Sequence, residues 1–313
     1  MIEGQRHYTV YGECLGSTLP FPELPEVAPM PARWTFETSP LLAPMIDPVE
    51  LGTDLIYDEV RGRLFSHAAG HRISVDDTGH FELSMDRRRV TWEERADAWP
   101  DFVRAHLMGR VLATALYLDG LLPLHGSAVE TRDGVIAFLA PKGFGKSTLA
   151  LALTEAGARL VTDDTLPVEP TSTPRAWPGV HSLRVHDDAL AAMGVARPAL
   201  DTREGKRIVT TLTGGRLMSR PAPLAAIYLL VPVTPESGDT ARVTLPPMLA
   251  AIGIVAHVKI GRMLGPAAAA PMLERAAEIA RHVPVHRLRT PRDLAQLPAV
   301  AATILGWHGV PAP

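Results

Sequence analysis

Apolar and polar residues alternate in short runs through the first 95 residues: Thr9-Val10-Tyr11, Ile73-Ser74-Val75, His80-Phe81-Glu82-Leu83-Ser84-Met85 and Arg89-Val90-Thr91-Trp92. A period of two sends one face of an extended strand to a core and the other to water. Asp76-Asp77-Thr78-Gly79 supplies a turn between two of these runs. The pattern predicts a smaller, mainly β domain over residues 1–95, with a second domain over 96–313. The period changes after Pro100, where Leu107, Val111, Leu112, Ala115 and Leu118 fall near one helical face. From Leu121 onward, strand-like and helix-like stretches alternate. Strands are predicted at 122–130, 134–139, 159–162, 206–212 and 224–231, and helices at 148–153, 187–193, 247–254, 271–282 and 293–305. Such alternation predicts an α/β core.

Two features of this core carry candidate chemistry. Gly134-Val135-Ile136-Ala137-Phe138-Leu139 runs into Ala140-Pro141-Lys142-Gly143-Phe144-Gly145-Lys146-Ser147-Thr148 and then into an apolar helix. A strand, a Gly-rich turn and a helix opening on Gly-Lys-Ser form a cradle for a nucleoside triphosphate. The backbone N–H groups of the turn and the helix dipole favour the phosphates. Gly143, Phe144, Gly145, Lys146, Ser147 and Thr148 are therefore the predicted ATP-binding residues, with Lys146 on the phosphates and Ser147 on Mg²⁺. Ala140 stands where the full pattern has glycine, which is tolerable only if that position needs no positive φ.

The second feature is Asp163-Asp164, after the strand-like Arg159-Leu160-Val161-Thr162. In a parallel α/β unit the carboxyl ends of neighbouring strands lie side by side, which would bring the pair beside the loop. Phosphoryl transfer to a hydroxyl needs one carboxylate near the metal and one group to take the hydroxyl proton. Asp163 is favoured as the base near His125, and Asp164 as a metal ligand. Upstream, Leu122-Pro123-Leu124-His125-Gly126 reads as a strand, joined to the loop strand by a turn at Asp133-Gly134.

Together, His125-Gly126, Gly145-Lys146-Ser147 and Arg159 to Asp164 resemble, in order and spacing, the catalytic domain of the HPr kinase/phosphorylase family. The likeness is close over residues 120–170 and looser to about 305. It implies an HPr-kinase-like phosphate-loop core that phosphorylates a serine hydroxyl with ATP and Mg²⁺. His125, Asp163 and Asp164 would form the acid/base cluster. The family's Gly-Arg-Asn segment, tied to dephosphorylation, has only Gly261-Arg262-Met263 as a poor counterpart. Tyr8 to Gly12, Leu19 to Pro25 and Val283 to Leu294 are similar to a diverged group that phosphorylates the terminal serine of lasso-peptide precursors.

Composition narrows the classes. Of 313 residues, 31 are Lys or Arg and 34 Asp or Glu, a net charge of −3 that gives no basic footprint for nucleic acid. Cys14 is the one cysteine, so no internal disulfide forms. The first residues have no apolar signal core, and the longest apolar run, 222–233, is interrupted by Pro223 and Pro232. A cytoplasmic enzyme with no membrane partner is expected, its oligomeric state open. Two classes of function remain: a serine kinase acting on a peptide or small protein, and a nucleotide-binding regulatory protein without catalysis. Within the first, the acceptor is a lasso-type precursor, an HPr-like protein or a small metabolite, with the β domain helping to hold a peptide. Lys206-Arg207 reads equally as a phosphate contact or a solvated strand start. Arg87-Arg88-Arg89 reads as a solvated turn or a contact for an acidic leader.

Overall fold

In a computed structural model, which describes residues 4–57, 59–195, 199–201, 205–209, 218, 220–234 and 239–310, the alternating runs pair into one eight-stranded sheet. Its strands are β1 (Arg6–Val10), β2 (Glu13–Ser17), β3 (Trp34–Ser39), β4 (Val49–Tyr57), β5 (Val60–His67), β6 (Gly70–Val75), β7 (Gly79–Ser84) and β8 (Arg89–Glu93), in the order β1-β2-β3-β8-β7-β6-β5-β4. Tyr11 and Gly12 both take positive φ, 54° and 74°, and so close β1 onto β2 by a two-residue turn whose twist matches the strands. Trp34, Phe36, Ile73, Phe81, Leu83 and Val90 point to the buried face. The predicted helix follows as α1 (Pro100–His106), a π-helical turn at Leu107–Val111 and α2 (Leu112–Leu118). The Met108 carbonyl within that turn accepts the Tyr11 hydroxyl at 2.7 Å.

The chain divides into two compact units, residues 1–121 with 259–272, and residues 122–258 with 273–313. The division expected at residue 95 falls inside the first unit, because the helix after Pro100 belongs with the β-sheet. Residues 259–272 return to that unit as a short insertion. The contact is close: a Cβ at Gly265 would stand 1.8 Å from the Leu51 carbonyl oxygen, and one at Gly52 2.4 Å from the Arg262 carbonyl oxygen. Arg87, at φ 61°, pairs with Asp119 at 2.6 Å, so the arginine run is in part an internal anchor.

The second unit holds β9 (Leu122–Thr131), β10 (Gly134–Leu139), α3 (Lys146–Glu155), β11 (Arg159–Glu169), β12 (Arg175–Ala176), β13 (Leu183–Val185), α4 (Asp187–Ala192), β14 (Ala199–Asp201) and β15 (Arg207–Val209). It continues through β16 (Ala222–Val233), β17 (Ala241–Thr244), α5 (Pro247–Val255), α6 (Ala269–His282), whose first residues fall in the insertion, β18 (Val285–Pro291) and α7 (Leu297–His308). The class is mixed α/β. β10 lies between β9, antiparallel, and β16, parallel; β11 continues the sheet beyond β9, and β18 and β17 continue it beyond β16. β13, β15 and β14 form a separate three-stranded sheet. Residues 210–212 of the strand predicted at 206–212 lie outside the described residues.

Leu149, Leu151 and Leu153 of α3 are all buried, although they do not share a helical face. They join one core with Phe138 and Tyr228 of the sheet, Leu183 and Val185 of β13, and Val300, Ala301 and Ile304 of α7. A helix covered on several sides needs no polar stripe, and each leucine contributes about 2 kcal/mol by its burial. Gly157, at φ 105°, ends α3: the Ala158 N–H reaches back to the Leu153 carbonyl at 3.0 Å.

Gly126 explains the glycine that follows His125. It faces Leu139 across the β9–β10 ladder, and an added Cβ would lie 2.7 Å from the Phe138 carbonyl oxygen and 2.5 Å from the Leu139 side chain. The carbonyl belongs to the sheet and cannot rotate away. Gly126→Ala is expected to lower stability by about 1–3 kcal/mol and to displace the end of β10, where the Gly-rich loop begins. Thermal unfolding monitored by circular dichroism checks this; an unchanged midpoint would contradict it.

Candidate active site

The loop after β10 has the geometry that its glycines predict. Gly143 and Gly145 take φ of 85° and 84°, and a Cβ at either would meet open space. Both glycines are needed for backbone conformation rather than for room. Ala140 is buried and is not among the positive-φ residues, so alanine fits there without strain. Residues 141–145 are exposed, and α3 begins at Lys146 with Gly145 as a cap that offers no side-chain acceptor. The first N–H groups of α3 thus keep their capacity for an anion. Lys146 is only 7% exposed, and its ammonium donates to the carbonyls of Ala140 at 2.8 Å and Pro141 at 3.2 Å. Ser147 and Thr148 are half-buried in the first turn, and Phe144 is exposed at the loop tip.

Asp163 and Asp164 are not at the end of a strand. β11 runs on to Glu169, and the pair sits in its middle, after a break in register between Leu160 and Thr162. β11 also does not adjoin β10, since β9 lies between them. Proximity to the loop arises through register instead: Asp163 pairs with Ser127 and Asp164 with Gly126, while Gly126 pairs with Leu139, the last residue of β10. One cross-section of the sheet therefore carries the aspartates, the His125-Gly126 pair and the start of the loop.

The two carboxylates have different surroundings. Asp163 is 6% exposed; one oxygen accepts the Ser127 hydroxyl at 2.5 Å and the other the Arg184 backbone N–H at 2.9 Å. Asp164 faces His125, whose Nδ1 lies 3.3 Å from its carboxylate and 3.1 Å from its carbonyl oxygen. The expectation that Asp163 stands by His125 is corrected by this geometry: strict alternation would put Asp163, paired with Ser127, on the His125 face, but the Asp164 carboxylate is the one that meets His125, at a residue whose positive φ departs from regular strand geometry. Both partners of Nδ1 are acceptors, which assigns a proton to Nδ1. Asp164 also holds φ of 131°, outside the region open to ordinary side chains, and strain of this kind gathers at working sites.

Among the described residues, no group of three or more His, Cys, Asp or Glu side chains could hold a metal by itself. Mg²⁺ needs no such cage, because it retains waters and takes one or two carboxylates together with phosphate oxygens. Ser147 and Asp164 suit that limited role.

Other expected candidates lie elsewhere. Arg207 stands 3.8 Å from Asp187, which favours its reading as part of the small sheet. Gly261-Arg262-Met263 belongs to the first unit, with Arg262 placed 3.7 Å from Asp54. His257, which no motif marks in the sequence, proves relevant: its carbonyl accepts the His125 backbone N–H at 2.7 Å, beside a bridge between Leu124 and Val258. Its distance of more than a hundred positions from His125 hides this in the sequence.

No protein-family model and no curated protein matches the chain. Among solved structures, the chain is similar to that of the Hpr(Ser) kinase/phosphatase from Coxiella burnetii, at 15% identity and a TM-score of 0.32, over 59% of this chain and 93% of that one. The likeness is distant, and the site rests on the chain's own residues. No helix among the described residues is long and apolar enough to cross a membrane.

Proposed function

We propose that the protein is an ATP-dependent kinase that transfers phosphate to a serine hydroxyl, most fittingly on a peptide such as a lasso-peptide precursor. The observation that supports this reading is the register of β10, β9 and β11, which brings the start of the Gly-rich loop, Asp164 and His125 to one cross-section of the sheet. In this reading Lys146 and the first N–H groups of α3 hold the phosphates, with Gly143, Phe144, Gly145 and Thr148 shaping the cradle. Mg²⁺, held by Ser147 and Asp164, would offset the negative charge of the phosphates. Asp164 orients His125 through Nδ1, and His125 Nε2 takes the hydroxyl proton, the arrangement of a base steadied by a carboxylate. The serine oxygen forms a bond to the γ-phosphorus, the bond to the bridging oxygen breaks, and ADP leaves with that electron pair. Asp163 braces the site: with both oxygens engaged by Ser127 and Arg184, it holds β11 in register. The first unit supplies sheet edges along which an extended peptide can lie.

The full chain, incubated with ATP, Mg²⁺ and candidate serine peptides, is expected to add one phosphate mass to a peptide serine, read by mass spectrometry. Turnover of a small alcohol at full rate, with no peptide or protein modified, would overturn the peptide acceptor. Nucleotide binding with no transfer to any acceptor would favour the regulatory alternative.

A further inference from the structure

Beyond the residues assigned above, and resting on the phosphate-loop reading, one more side chain has the placement of a phosphate ligand. His257 lies just after α5, and its ring Nδ1 donates to the Gly253 carbonyl at 2.8 Å. That bond fixes the ring against the orphan carbonyls at the helix end and puts the other nitrogen, Nε2, on the opposite side of the imidazole. Among the described residues the ring's hydrogen bond is the one made by Nδ1, which leaves Nε2 out of it. The backbone of the same residue is tied to His125 at 2.7 Å, and the ring is near enough to Lys146 to feel its ammonium. His257 is thus bracketed by the lysine expected to hold the terminal phosphates and by the base expected to act beside them.

We propose that His257 is a phosphate-binding residue that takes up a proton when a triphosphate arrives and donates Nε2–H to one of its terminal oxygens. Without phosphate, burial and the Lys146 charge hold its pKa below the usual histidine value, the first cause being the larger. The ring is then neutral, and two cations are not forced together. A polyanion over Lys146 reverses the second cause and favours imidazolium. The proton comes from solvent, and no covalent bond changes. The charged group bearing on the ring is Lys146 on α3. The sign follows. A pKa raised in the bound state makes binding tighten as pH falls through that value, with the full gain below the pKa of the free state.

Two measurements test this. Calorimetry with the β,γ-imido analogue of ATP plus Mg²⁺, and with pyrophosphate, is run in buffers of different ionisation enthalpy. Wild type is expected to take up more protons on binding than His257→Gln. The variant should bind about 10-fold more weakly near pH 6, the value of one charge-assisted hydrogen bond, and like wild type near pH 8.5. Because the substitution could disturb α5, the His257 ring proton is also titrated by NMR in wild type, free and saturated with pyrophosphate. A pKa raised on saturation supports the proposal. An unchanged titration, or a variant with wild-type affinity and proton uptake, overturns it and leaves the phosphate loop intact. Absence of binding by wild type to either probe overturns both readings together.

Discussion

Lys146→Ala is expected to abolish transfer while leaving a folded protein. The ammonium rests on the carbonyls of Ala140 and Pro141. Arriving phosphates offer it a stronger partner, since a charge-assisted contact between ions exceeds one to a neutral carbonyl. Removing the charge should lower turnover by about 10³-fold, the scale for losing one preorganised electrostatic contact, and weaken ATP binding in calorimetry. The freed carbonyls belong to a loop whose neighbouring residues are exposed and can turn to water, so the cost in stability should stay near about 1 kcal/mol. Lys146→Arg is not a rescue, because a planar fork cannot occupy the place of a compact ammonium. Equal ATP affinity in wild type and Lys146→Ala would remove the basis for a phosphate cradle.

Neutralising the two aspartates should produce opposite phenotypes. Asp164→Asn keeps its bulk on the exposed side of the strand, and its unfolding midpoint should stay close to that of wild type. Its turnover should fall by about 10⁴-fold, as when a base loses the carboxylate that orients it. Asp163→Asn lies inside, between the Ser127 hydroxyl and the Arg184 N–H. One of its two acceptor oxygens becomes an NH₂ group facing a donor, and a bond to a buried charge is lost, at about 1.5–3 kcal/mol. A lower unfolding midpoint is expected, with the remaining folded fraction still active. Thermal melts and turnover measured on both variants check this. A stable, inactive Asp163→Asn beside an active Asp164→Asn would reverse the assignment.

What could be read in the sequence divides along physical lines. Residues whose backbone is set by their immediate neighbours were legible: the glycines at 143 and 145 with their positive φ, and the turn at Asp133-Gly134. The aspartate pair was not legible as geometry. Its strand was expected to stop at residue 162, whereas the Ser127 and Arg184 contacts allow Asp163 to remain inside a strand that reaches Glu169. That Asp164 rather than Asp163 meets His125 goes with its φ of 131° in mid-strand, a local departure from alternation that no residue pattern marks. His257 was illegible because its role arises from a bridge between distant segments. The first domain boundary was misread for a similar reason, since a helix at 100–118 looks the same whichever unit it covers.

The insertion of residues 259–272 into the first unit also orders events in time. A ribosome adding ordinary numbers of residues per second releases residue 121 roughly 10–30 s before residue 272. Throughout that interval β4, at the sheet's edge, waits without the turn at Arg262 to Gly265 that will pack against Leu51 and Gly52. Its open backbone is a template for stray pairing with other nascent chains. The amino-terminal half of the protein is therefore made first and finished late. Chaperone demand during synthesis should concentrate on that half, and a fragment ending at residue 121 should aggregate even though every strand of its sheet is present.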